Sequence, residues 1–110
     1  MKSHTKIYMK ALGYSDTDFV PSEISGKKAV DICHLIPRGA GGNPDKSLDR
    51  IENLMAQTRE EHIQLGDKRH TTAEQFRKHR DFLGLNGVSF DYAWMDAQIA
   101  KYEVYEMDAV

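Results

Sequence analysis

Apolar and polar positions along this chain divide it into a strand-like middle between helical ends. Ile7, Tyr8, Ala11 and Leu12 recur at helical spacing within residues 2–12, and Gly13 follows as a stop signal. Residues 15–26 are polar, interrupted by Pro21 and relieved by one apolar pair, Phe19 and Val20, so they read as a loop or irregular knuckle. Residues 29–36 (Ala-Val-Asp-Ile-Cys-His-Leu-Ile) form a β-favouring run closed by Pro37. Three glycines and a proline within residues 38–45 mark a long loop. Residues 51–56 (Ile-Glu-Asn-Leu-Met-Ala) form a second short strand, with Asn53 near its start.

Helical signals then return. Thr58 and Glu61 stand three residues apart, the spacing of a capping box, and predict a helix that carries His62 in its second turn and ends near Gly66. Thr71 or Thr72 opens a further helix with Phe76, Arg80 and Leu83 on related faces. A last helix is predicted over residues 89–106, its apolar surface supplied by Phe90, Ala93, Trp94, Ala97, Tyr102 and Tyr105. The expected fold class is α+β. It is a single domain over residues 1–110, with a hairpin-and-helix core at about 28–68 and accessory helices at about 3–13 and 71–107.

Composition narrows the function classes. At 110 residues there is room for one core, and hydrophobic and charged residues at 40% and 29% are an ordinary globular balance. No apolar run reaches the roughly 18 residues of a membrane span, and the start Met-Lys-Ser-His-Thr-Lys has no apolar signal region. Cys33 is the single cysteine, which excludes an internal disulfide and any zinc site needing two or more thiolates. These features predict a cytoplasmic setting. The net charge of −2 hides an asymmetry: residues 1–80 hold 14 basic against 11 acidic residues (+3), and residues 81–110 hold 1 against 6 (−5). A nucleic-acid partner would therefore meet the first two-thirds of the chain.

The chemistry-bearing residues fall at the turning points of the middle section. His34 lies near the end of the first strand, Asn53 at the second and His62 on the helix after it. Around them stand Asp31-Ile32-Cys33-His34-Leu35-Ile36-Pro37-Arg38-Gly39, Gly41-Gly42, Ile51-Glu52-Asn53-Leu54-Met55, Arg59-Glu60-Glu61-His62 and Gly66-Asp67-Lys68. Over roughly residues 20–69 this ordered set resembles the HNH nuclease family, in particular its small phage- and prophage-encoded members. The resemblance implies a ββα-metal (His-Me finger) core and a metal-dependent endonuclease hydrolysing DNA phosphodiesters in a bacterial or phage-infected host. In that reading His34 is the general base that activates water, His62 a metal ligand, and Asn53 orients the hairpin and His34 through its side-chain amide. The roles suit the residue types: a histidine titrates near neutrality, a neutral imidazole ligates metals, and an amide both donates and accepts.

The sequence departs from the family pattern at two places. Family members usually carry Asp or His before the base as a metal ligand, and Cys33 stands there. The second ligand is then Cys33 or Asp31, with Asp67 a further candidate from the helix exit. The resemblance implies a single divalent ion, Mg, Mn, Zn or Ni. Ser22, Ser25, Thr58 and Glu61 occupy the positions where many relatives place two Cys-x-x-Cys zinc knuckles, so no structural zinc is expected and packing of the terminal helices must compensate. The alternative is a catalytically degenerate module that binds DNA or a protein without cutting.

Arg38, Lys46, Arg50, Arg59, Lys68 and Arg69 flank the expected site; Arg38, Arg59 and Lys68 are the candidate phosphate contacts. His4, His70 and His79 lie outside the motif and read as surface residues. The C-terminal helix, with its aromatics, is a candidate surface for pairing two copies of the chain.

Overall fold

The strand-favouring runs pair as an antiparallel hairpin with Asp31 opposite Gln57, Ile32 opposite Ala56, Cys33 opposite Met55 and His34 opposite Leu54. The structure is a computed structural model and describes residues 1–38, 47–66 and 68–109. Along the chain come α1 (Ser3–Leu12), β1 (Asp31–His34), a 3₁₀ turn (Ile51–Asn53), β2 (Leu54–Gln57), α2 (Arg59–Leu65), α3 (Arg69–Leu85), α4 (Tyr92–Glu103) and a 3₁₀ turn (Glu106–Ala109). This is a mixed α+β arrangement, four helices around a two-stranded sheet among the described residues. Glycine-loop residues 39–46, which include Lys46, and Asp67 lie outside the described residues.

β1 is shorter than its apolar run, and ahead of its first residue Val30 N–H donates to Gln57 O of β2. Ala29 N–H donates to Val20 O, and Leu35 N–H donates to Asn53 O. Asn53 belongs to the 3₁₀ turn ahead of β2 rather than to the strand, its N–H closing on Arg50 O. α1 ends at Gly13 in the left-handed region (φ 76°), where a side chain would be strained. At α2 the capping box is present, Thr58 accepting from Glu61 N–H and Glu61 from Thr58 N–H.

The C-terminal half departs from expectation in register. α3 opens at Arg69, two or three residues before the expected Thr71 or Thr72, and the Thr71 hydroxyl donates to Leu65 O and Lys68 O instead of capping the helix. α4 opens at Tyr92, with Asp91 accepting from Trp94 N–H as its N-cap. Its buried positions are Met95 and Ile99, whereas Ala93 and Ala97 face solvent. The aromatic-weighted reading of this helix was rotated away from the true core face.

Two apolar clusters fill the interior. Leu35, Met55, Phe76, Leu83, Met95 and Ile99 pack where the hairpin meets α3 and α4; Tyr8, Leu54 and Ala56 pack under α1. Leu12 and Ile51 touch both. The Phe76 ring meets Trp94 edge-on at 5.9 Å.

His79, expected at the surface, is fully buried. Its Nδ1 lies 2.7 Å from Glu23 Oε1 and its Nε2 2.6 Å from Ile51 O, while Tyr8 donates its hydroxyl to Glu23 Oε2 at 2.7 Å. The position shares a face of α3 with Thr72, Phe76 and Leu83, which explains its burial. No helix among the described residues is long and apolar enough to cross a membrane.

Candidate functional site

A cleft of about 460 Å³ opens where the first turn of α1, the length of β1, the chain after it and α2 come together. Asp31, Cys33, His34, Arg38 and His62, five of the residues expected from the sequence, line it, joined by Lys2, His4 and Gly66.

His34 sits at the last position of β1, and its Nε2 is 2.7 Å from Asp49 Oδ1. Asp49 is buried on the approach to the 3₁₀ turn. The hydrogen bond from His34 holds the Asp49 carboxyl below the usual carboxylate range, outweighing the opposing effect of burial. An ionised Asp49 only accepts, so Nε2 carries the proton and Nδ1 is left as the ring's basic nitrogen. A carboxylate behind the imidazole fixes the tautomer and stabilises the imidazolium that forms when Nδ1 takes a proton. No spacing rule pointed to Asp49 in the sequence; only the chain path between the glycine loop and β2 brings it back to the strand end.

Asp31 opens β1 and faces the helix. Its Oδ2 is 3.1 Å from His62 Nδ1, and Arg59 grips both oxygens, Nε at 2.8 Å and the terminal nitrogen at 3.1 Å. Burial would raise the Asp31 pKa, but the hydrogen bonds from Arg59 and His62 prevail and hold it low. The carboxylate is therefore ionised and engaged with cationic and N–H donors. Gly66 completes this corner. A Cβ there would lie 2.5 Å from His62 O and 3.1 Å from His62 Cδ2, so the position is glycine for space rather than for backbone freedom.

Cys33 lies between these groups in sequence but offers different chemistry. Burial, followed by the carboxylates of Asp31 and Glu61, pushes its thiol up to about 12. At neutral pH its thiolate fraction is on the order of a thousandfold below that of an ordinary cysteine, so it is a poor soft ligand. Among the described residues no three His, Cys, Asp or Glu side chains are grouped to hold an ion. On the α2 side of the cleft the carboxylate–imidazole couple is Asp31 with His62, and an ion held there would have to displace Arg59 and the His62 N–H from the carboxylate. This pair would leave most of the coordination shell to water and substrate oxygens, as hard cations accept.

Asn53 is wholly buried beneath the site. Its amide donates to Ile36 O and Leu48 O, each at 3.1 Å, and its Oδ1 accepts from Ile36 N–H at 2.8 Å. It pins the chain leaving β1 to the chain entering β2. Its contact with His34 is thus indirect, through the backbone segments that carry His34 and Asp49.

The basic cluster is mostly occupied. Arg50 bonds Glu52 and Asp91 and covers the Trp94 ring at 4.4 Å, and Arg69 covers Tyr105 at 4.5 Å. Lys68 donates to the carbonyls of Ile63 and Gln64 at the end of α2. Arg59, though its side chain is 65% exposed, is committed to Asp31. Of the three candidate phosphate contacts, Arg38 alone lines the cleft.

The four knuckle positions do converge. Ser22 donates to Glu61 Oε1 at 2.5 Å, the Ser25 hydroxyl adds a second bond, and Thr58 N–H a third. Burial tends to raise the Glu61 pKa, but these donors overcome it and keep the carboxyl ionised. A hydrogen-bonded staple thus joins residues 22–25 to the start of α2.

His4, expected at the surface, is only 8% exposed, and its ring centroid lies 4.5 Å from that of His34. Burial, then the neighbouring His34, lowers its pKa and keeps it neutral. The signal was present in the sequence: His4, Tyr8 and Leu12 share one helical face, with Tyr8 buried and Leu12 packed against the core.

No protein-family model, no curated protein and no solved structure matches this chain.

Proposed function

We propose that this chain is a metal-dependent endonuclease of the HNH type, its β1–β2 hairpin and α2 forming a ββα-metal core that hydrolyses DNA phosphodiesters. The observation that carries this reading is the pairing, on one cleft, of a carboxylate-backed imidazole (His34 with Asp49) and a carboxylate–imidazole couple (Asp31 with His62).

His34 Nδ1 accepts a proton from water as the water oxygen bonds to phosphorus, and the bond from phosphorus to the leaving sugar oxygen breaks. Asp49 takes the hydrogen bond from Nε2–H throughout and balances the positive charge that arrives on the ring. Asn53 holds the two backbone segments that present this dyad. Asp31 and His62 would hold the divalent ion, which when bound supplies Lewis acidity to the phosphate and its leaving oxygen. Arg38, exposed at the cleft edge, pairs with a non-reacting phosphate.

The test is plasmid nicking in the presence of magnesium, manganese, zinc or nickel, wild type beside His34→Ala. Removing a general base lowers the rate by about 10²–10⁴-fold, so the variant should leave the supercoiled form intact over a time in which wild type consumes it. A second reading, a module that binds DNA or protein without cutting, is favoured by the grip of Arg59 on both oxygens of Asp31. Absence of cleavage by wild type with every metal, together with retained DNA binding, would select it.

A further inference from the structure

The first turn of α1 carries features that its packing role leaves unused. His4 is more than nine-tenths buried and lines the cleft, yet neither ring nitrogen has a hydrogen-bond partner among the described residues. A buried polar side chain without a partner is costly unless a ligand completes it. It sits in the second position of a ten-residue helix whose N-cap, Lys2, provides no side-chain cap and whose first turn holds no acidic residue. The first intrahelical bond runs from Lys6 N–H to Lys2 O, so the amides of Ser3, His4 and Thr5 have no intrahelical acceptor and stand as free donors at the positive end of the helix. Lys2 and Thr5 line the same cleft.

We infer that this turn is a phosphate subsite, in which His4 N–H, the free amides of α1 and the Lys2 ammonium together receive the oxygens of a nucleic-acid phosphodiester beside His34. The assignment rests on the nuclease reading for the identity of its ligand. The chemistry itself is that of an oxyanion: a neutral imidazole donor, backbone N–H groups and one cation, the combination that binds phosphate at helix N-termini. Anion repulsion is small, because the carboxylates nearby are already paired, Asp31 with Arg59 and His62, and Asp49 with His34. His4 is thereby a substrate-binding residue from outside the strand–loop–helix section, placed by its ring contact with His34 at the position where a phosphate meets the base.

The experiment is an amide and imidazole NMR titration of the full chain in metal-free buffer, with inorganic phosphate and, separately, with a short DNA duplex. Saturable shifts of the Ser3–Thr5 amides and the His4 ring are expected with both probes, tighter with the duplex. His4→Phe keeps the ring packing and removes both nitrogens, so it guards against simple unfolding. It should weaken duplex binding on the order of tenfold, the worth of a hydrogen bond to a charged group. His4→Gln, which restores a donor, should recover most of that loss. Shifts confined to other surfaces, or His4→Phe binding as wild type does, would overturn the subsite. The two readings fail separately. Phosphate-dependent shifts in α1 with no cleavage under any metal retain the subsite and remove the nuclease. Cleavage whose KM is untouched by His4→Phe retains the nuclease and removes the subsite.

Discussion

Asn53 is the residue on which the geometry of the cleft depends most heavily. Its side chain satisfies three backbone groups at once, Ile36 N–H, Ile36 O and Leu48 O, in a place water does not reach. Asn53→Ala should destabilise the chain by about 3 kcal/mol, roughly one kcal/mol for each bond lost, measured by urea unfolding; a loss below about 1 kcal/mol would mean that the loop re-forms without it. Asp49 gives a pH-dependent counterpart. Its folded pKa is depressed, so the stability it contributes is present above its unfolded value near about 4 and is lost as pH falls through the lower folded value. Asp49→Asn should therefore flatten the acid limb of the stability–pH curve while lowering the neutral plateau; an unchanged acid limb would exclude that linkage. His34, Asn53 and His62 were legible because their residue types sit at strand and helix boundaries. Asp49 was not, since a hydrogen bond across a long loop leaves no periodicity.

Elements in this fold are tied together by buried polar contacts as well as by apolar packing. The Glu23–His79 pair links residues 21–28 to α3, Tyr8 brings in α1, and the bond from His79 to Ile51 O brings in the turn before β2. Because Nε2 must donate to a carbonyl, a single proton serves the contact between Nδ1 and Glu23, and the couple is neutral as a unit. Removing one partner strands the other. His79→Leu should cost about 3–5 kcal/mol in chemical denaturation; a smaller loss would show that Glu23 finds solvent. The helices and hairpin were legible from period and capping, whereas the register of α4 was not. That helix has apolar residues on every side, so only contact with Phe76 and Leu83 decides that Met95 and Ile99 turn inward. His4 and His79 lie inside for a related reason: the helical face a histidine occupies, not its residue type, decides its burial.

Across the molecule, four arginines among the described residues are held in internal ion pairs. Arg77 binds Glu74, Glu103 and Glu106, Arg80 binds Asp96, and Arg50 and Arg59 are similarly engaged. Among the described residues two cations, Lys2 and Arg38, line the cleft. Binding of DNA there should show a plot of log K against log salt with a slope of about −2, near 0.9 for each phosphate neutralised, in fluorescence anisotropy; a slope of about −5 or steeper would place the contact on another face. The acidic last third of the chain, net −5 over residues 81–110, fits this restriction to one side. The position of α1 also has a practical bearing. Lys2 borders the cleft, so any polypeptide fused ahead of Met1 emerges at its mouth and competes for the opening. The 3₁₀ turn at Glu106–Ala109, tied by Glu106 to Arg77, shares no residue with that entrance, so a purification handle belongs on that side.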